Sequence, residues 1–220
     1  MSNIFVLDNL PSAQPSAHIV LAHGSMAAAD SPFLEHLAQT LVDHGLAVHR
    51  FEFAYMAARR ATGKKRPPPR AEKLMDEYHE AIAQIRTCNN LDSRKVIIGG
   101  KSLGGRVASM VATNSFENGE ISGVTCLGYP FHPPKKPDNL RTSHLEQFPC
   151  PALILQGERD PFGTPDEVSG YNLDPRIQLR WIGDGDHDFA ARKRSGFTQE
   201  GNIAAAAEAI TKFAAGLREN

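Results

Sequence analysis

Three short stretches of the sequence carry side chains whose types and spacing suit nucleophilic chemistry. Gly100-Lys101-Ser102-Leu103-Gly104 has the form G-x-S-x-G, and it follows the apolar run Val96 to Ile98 and precedes a segment of helical period. A serine hydroxyl is a poor nucleophile until a base takes its proton, and that base must be oriented by a carboxylate. Both follow further along. Asp160 lies in Gly157-Glu158-Arg159-Asp160-Pro161, just past Ala152 to Gln156, and His187 lies in Gly183-Asp184-Gly185-Asp186-His187-Asp188, just past Gln178 to Ile182. Each residue therefore ends a different apolar run, in the chain order Ser, Asp, His that a serine on a strand-to-helix turn requires. The chemistry implied is acyl transfer to water, with Ser102 as nucleophile, His187 as base and Asp160 holding the imidazole.

Such a turn is strained, and side chains two residues either side of the nucleophile would collide, so Gly100 and Gly104 supply room. The oxyanion of the tetrahedral intermediate needs two backbone donors. Leu103, the residue after the nucleophile, supplies one. His23-Gly24-Ser25-Met26 ends the first core run, which assigns the second to Ser25 and leaves His23 structural. Met26, Tyr129 and His132 stand after core runs and are candidates for lining the substrate pocket, His132 being equally open to plain packing. Arg59 and Arg60, with Lys64, Lys65, Arg66 and Arg70, form the one basic cluster. It reads either as a solvated loop or as an anion site over the pocket. Asp184, Asp186 and Asp188 shape the histidine loop. No spaced histidines or twelve-residue acidic loop suggests a metal, and no cofactor motif is present.

These residues must be positioned by alternating elements. Short β-rich runs (Ala17 to Ala22, Ala47 to Phe53, Lys95 to Ile98, Gly123 to Leu127, Ala152 to Gln156, Gln178 to Ile182) alternate with helical stretches (Pro32 to His44, Ala71 to Cys88, Leu103 to Ser115, Asn202 to Leu217). That is the pattern of repeated βα units around a parallel sheet. Ile4 to Leu7 predicts an edge strand, antiparallel or irregular because its connection to the next run is too short for a helical crossover. Gly45 closes the first helix, and Pro32 opens it. Two proline-rich, basic excursions, Ala57 to Arg70 and Tyr129 to Cys150, emerge at the carboxyl edge of the sheet, where open α/β folds bind ligands.

The bulk numbers agree with a single domain over residues 1–220. With 41% hydrophobic and 22% charged residues and a net charge of −1, the chain has ordinary globular usage and no global field for nucleic acid or anionic membranes. The first sixteen residues lack the parts of a secretory signal, no run is long enough to span a bilayer, and three scattered cysteines suggest neither a disulfide framework nor a thiolate metal site. A reducing cytoplasm is the expected location.

The stretches HGS at 23–25, SPF at 31–33, RFEFAYMAARR at 50–60, KRPPP at 65–69, GGKSLGGR at 99–106, LGYPFHPP at 127–134, LILQGERDPFG at 153–163 and GDHDF at 185–189 carry a family resemblance. The chain resembles the small α/β-hydrolases related to dienelactone hydrolase, and within them the branch of predicted hydrolases related to a subunit of the NSL histone acetyltransferase complex. The resemblance implies the α/β-hydrolase fold, with a mainly parallel sheet of six to seven strands flanked by helices and a minimal cap. It also implies the triad Ser102, Asp160, His187 and no metal. Dienelactone hydrolase itself has a cysteine nucleophile, so its substrate does not carry over. The expectation is a serine hydrolase cleaving a small ester or thioester, anionic if the basic cluster binds it, in a shallow pocket. The rival is a non-catalytic binding or scaffold protein on the same fold; a cofactor-free oxidative enzyme would use the same three side chains.

Overall fold

The computed structural model describes residues 4–91 and 96–217. Seven strands, β1 (Val6–Asn9), β2 (His18–Ala22), β3 (Ala47–Phe51), β4 (Val96–Lys101), β5 (Gly123–Leu127), β6 (Ala152–Gly157) and β7 (Ile177–Ile182), form one sheet in the order β1-β3-β2-β4-β5-β6-β7. The helices are α1 (Pro32–Asp43), α2 (Ala54–Thr62), α3 (Met75–Asn89), α4 (Leu103–Glu117), α5 (Pro165–Val168) and α6 (Gln199–Gly216). Among the described residues no helix is long and apolar enough to cross a membrane.

β1 pairs antiparallel with β3, Val6 opposite Phe51, and the other neighbouring pairs are parallel. The expected edge strand is therefore present, displaced from Ile4–Leu7 to Val6–Asn9. β4 outruns its expected end at Ile98, because Gly99, Gly100 and Lys101 go on pairing with β5; the expected start at Lys95 lies outside the described residues. Fully buried strands leave alternate residues on opposite faces. Val20 and Ala22 pack toward α3 and α4, with Tyr78, Ile82, Val107 and Val111. Ile19 and Leu21 pack toward α1 and α6, with Leu34, Leu37, Ile203 and Ile210. Leu34, Leu37 and Leu41 follow the helical period and are fully buried, each stabilising the layer by about 1.5–3 kcal/mol.

Helix ends follow their sequence signals. α1 has proline in its first turn, and Gly45 at φ 80° closes it by donating its N–H to Val42 O at 2.8 Å. The excursion expected over Ala57 to Arg70 is corrected by the structure: it begins as a helix, since the alanine- and arginine-rich residues of α2 are good helix formers until Gly63 at φ 70° stops them. Tyr129 to Cys150 is irregular apart from one 3-10 turn at Ser143–Leu145. The short α5, which periodicity cannot reveal at four residues, is set by a capping box between Thr164 and Glu167.

Candidate active site

The glycines around Ser102 are required by contact. Ser102 lies at the β4–α4 junction with φ 52° and ψ −112°, a conformation that costs a non-glycine residue roughly 1–3 kcal/mol and persists only where its surroundings enforce it. A Cβ on Gly100 would sit 2.5 Å from Ala22 O and 2.7 Å from the backbone of Gly104; one on Gly104 would sit 2.5 Å from Ala22 O. The turn thus packs backbone against backbone beneath β2. Ser102 N–H donates to Leu127 O at 2.9 Å, and its carbonyl accepts from Arg106 N at 3.0 Å, starting α4. Upstream, the buried Tyr78 hydroxyl reaches Gly99 O at 2.5 Å and accepts from Gly99 N–H at 2.9 Å, fixing the strand three residues before the serine.

Asp160 and His187 meet as a pair. His187 Nδ1 lies 2.8 Å from Asp160 Oδ2, and Asp160 Oδ1 accepts from Phe162 N–H at 2.9 Å, so both carboxylate oxygens of this fully buried side chain are engaged. An imidazole whose Nδ1 is held by a carboxylate presents Nε2 as its free base. The Phe162 ring packs 4.4 Å from the His187 ring. The serine and the pair converge on one backbone turn. Leu127 O receives the Ser102 N–H, while a Cβ on the next residue, Gly128 at φ 62°, would lie 3.1 Å from His187 Nδ1 and 3.3 Å from Asp160 Oδ2. Ser102 and His187 share no hydrogen bond among the described residues.

The aspartates flanking His187 build its loop. Asp184, at φ 47°, accepts from Arg192 N–H at 2.7 Å and Arg192 Nε at 2.8 Å, and its own carbonyl accepts from Arg159 Nε at 2.9 Å. The Arg192 side chain and amide hold the Asp184 carboxyl down at about 2. Asp186 Oδ1 accepts from the N–H groups of Asp188 and Ala190. Asp188 turns outward and pairs with Lys101 Nζ at 3.2 Å. Lys101 was not anticipated from sequence: the residue directly before Ser102 in the motif is nearly buried beneath the Phe33 ring, and burial pulls its ammonium pKa down.

The loop after β2 lies against Ser102, a Cβ on Gly24 coming within 4.0 Å of Ser102 Cβ. Its carbonyl oxygens are held by side chains of α2 and β3. The Tyr55 hydroxyl reaches Ser25 O at 3.2 Å and Gly24 O at 3.4 Å, Arg59 Nη1 donates to Met26 O at 2.8 Å, and Arg50 Nη1 donates to Ala29 O at 2.7 Å. Glu52 accepts the Ala29 N–H at 3.2 Å. His23 lies between Gly24 O, 2.6 Å from Nδ1, and the Phe53 N–H, 3.2 Å from Nε2, and burial lowers its pKa, so it is neutral with its proton on Nδ1. The stretch 50–60 is thus a brace for this loop, a role that sequence alone did not give it.

Several expected pocket residues are reassigned. Tyr129 and His132 are buried, at 0% and 2% exposure, so neither lines an open pocket: the Tyr129 hydroxyl donates to Arg141 O at 2.9 Å, and His132 Nδ1 meets Pro133 O at 2.9 Å. Arg60 is no free anion site, since it pairs with Glu52 at 2.7 Å and Asp30 at 2.8 Å beneath the Phe5 ring. Arg59 is committed to Met26 O. Met26 is 60% exposed at the rim.

A parallel sheet that delivers a strained serine, a buried carboxylate and a histidine to one edge defines the α/β class of hydrolase folds. The chain belongs to the alpha/beta hydrolase domain family, whose model matches residues 15–215. Its fold is similar to that of dienelactone hydrolase from Anabaena variabilis, with 21% identity over 96% of this chain and 90% of that one and a TM-score of 0.69. It is also similar to a serine hydrolase homologue from Coxiella burnetii, with 15% identity over 94% and 89% and a TM-score of 0.68. Est1E from Butyrivibrio proteoclasticus, in a structure with bound ferulic acid, matches at 13% identity over 99% and 96% with a TM-score of 0.66.

Proposed function

We propose that this chain is a serine hydrolase that cleaves a small carboxylic ester or thioester through an acyl-enzyme on Ser102. The observation that carries the reading is the pair formed by the buried Asp160 and the partly exposed His187, 2.8 Å apart, facing the same Leu127–Gly128 turn that receives the strained Ser102. Ser102 Oγ attacks the carbonyl while His187 Nε2 accepts its proton; the imidazolium is stabilised by Asp160 and then protonates the leaving group. The N–H groups of Leu103 and Ser25 stabilise the oxyanion, a role supported for Ser25 by its loop lying against Ser102 with its carbonyls held by Tyr55 and Arg59. Water, deprotonated by His187, resolves the acyl-enzyme. Met26 stands where it touches the acyl or leaving group.

Family membership and the folds of dienelactone hydrolase and Est1E favour an ester-type substrate. The finer resemblance, to the branch related to the NSL-complex subunit, rests on the sequence stretches. The free thiols of Cys88, Cys126 and Cys150 suit a cytoplasmic protein, and the unbroken sheet suits one domain. Labelling with a fluorophosphonate probe tests the proposal, with Ser102→Ala as control. Folded wild-type protein that takes no label, or Ser102→Ala that labels equally, overturns it in favour of a binding protein on the same fold.

A further inference from the structure

On the flank of α4, below the nucleophile turn, a cavity of about 300 Å³ opens between that helix and the irregular segment after β5. Its walls include Arg106 and Met110 from α4, Leu140, Arg141 and His144 from the segment, and Glu72 at the rim. The charges inside are unbalanced. The Arg141 guanidinium has no hydrogen-bond or carboxylate partner among the described residues, and burial together with the neighbouring Arg106 charge lowers its pKa. Arg106 spends Nη2 on the exposed Glu72 at 3.0 Å, while its Nε is buried without a partner. Two guanidiniums thus face one solvated carboxylate.

His144 adds no compensating chemistry. Ser109 Oγ donates to Arg106 O at 2.7 Å and so accepts from His144 Nε2 at 2.9 Å, which places the imidazole proton on Nε2. Burial, with Arg106 beside it, holds the His144 pKa at about 4, so the ring is neutral near pH 7. Unsatisfied donors on half-buried cations are costly, and a guanidinium fork is the side chain best shaped to take a carboxylate or phosphate in two parallel hydrogen bonds.

We propose that Arg106 and Arg141 form a binding pocket for a compact oxyanion, the carboxylate or phosphate group of a small organic molecule whose apolar part rests on Met110 and Leu140. The pocket is separate from the basic cluster at residues 59–70, whose Arg59 and Arg60 are engaged elsewhere. It does not depend on the Ser102 chemistry, although Arg106 lies one helical turn from Ser102 and its side chain leans toward that end of α4.

Titration calorimetry at constant ionic strength with inorganic phosphate, and separately with succinate, tests it without any turnover. Wild-type protein is expected to bind at least one of the two saturably, tighter phosphate marking a phosphorylated ligand and tighter succinate a carboxylate. Loss of one charged hydrogen-bonding partner should raise Kd about 10-fold or more, so Arg141→Gln is expected to do so, and Arg106→Lys, which keeps charge but loses the fork, to weaken binding as well. Arg66→Gln, on the exposed basic loop, is expected to bind like wild type. Absence of saturable binding by wild type, an unchanged Kd in folded Arg141→Gln, or an equal loss in Arg66→Gln overturns the proposal. Thermal unfolding of each variant separates lost binding from lost folding.

Discussion

Replacing Asp160 with asparagine probes the proposed acid–base pair most sharply, because the structure dictates which way the new amide must face. One carboxylate oxygen accepts from the Phe162 N–H at 2.9 Å and the other from His187 Nδ1 at 2.8 Å. The backbone donor cannot change its nature, so the asparagine oxygen stays on Phe162 and the NH2 group turns to His187. The reverse orientation would set two buried donors against each other, at a cost of about 1–3 kcal/mol; a neutral imidazole avoids this by moving its proton from Nδ1 to Nε2. A histidine protonated on Nε2 cannot take the Ser102 proton. The expected loss is therefore about 10³- to 10⁴-fold in turnover, or about 4–5 kcal/mol of transition-state stabilisation. Thermal stability should change little, since both hydrogen bonds are kept. Rates of fluorophosphonate labelling measure the first effect, and nitrogen-15 NMR of the imidazole reads the tautomer directly. Labelling within threefold of wild type, or a His187 ring still protonated on Nδ1, would refute the reasoning.

Gly104→Ala places a methyl group 2.5 Å from Ala22 O; at the upper end of overpacking, about 3 kcal/mol, the melting temperature should fall by roughly 6–12 °C, and a fall under 2 °C by circular dichroism contradicts the close approach. Tyr78→Phe strips both backbone groups of Gly99 of the hydroxyl they share; a loss of about 2–4 kcal/mol is expected in urea unfolding, with no change indicating that water takes its place. Asp184 titrates at about 2 in the folded protein against 3.8 for a free carboxyl, so its contribution is complete above pH 4 and disappears as the pH falls toward 2. Melting curves of wild type and Asp184→Asn should therefore differ at pH 5 and converge near pH 2; curves that stay parallel contradict the link to Arg192.

The sheet was legible because its strands are short, mostly apolar runs set between turn residues and helical stretches, and the glycine spacing around Ser102 was legible because a close backbone approach tolerates no other residue. Asp160 and His187 could be found by their place after β6 and β7. What sequence concealed depended on side-chain direction in irregular segments. Tyr129 and His132 follow a strand end just as a pocket residue would, yet their rings turn inward; Arg60 sits in a basic run, yet meets Glu52 and Asp30 across the fold. Lys101 was hidden because a lysine within a motif reads as solvated, whereas β4 extends far enough to bury it. The α2 helix was masked by the prolines that follow it, although its own composition favoured helix.

The missing side chain at Gly128 sets how this fold can lose chemistry while keeping its shape. A single methyl group there would press on both the imidazole and the carboxylate at just over 3 Å, in a backbone conformation that already resists it. A Gly128→Ala change is therefore expected to disturb the Asp160–His187 pair before it disturbs the strands.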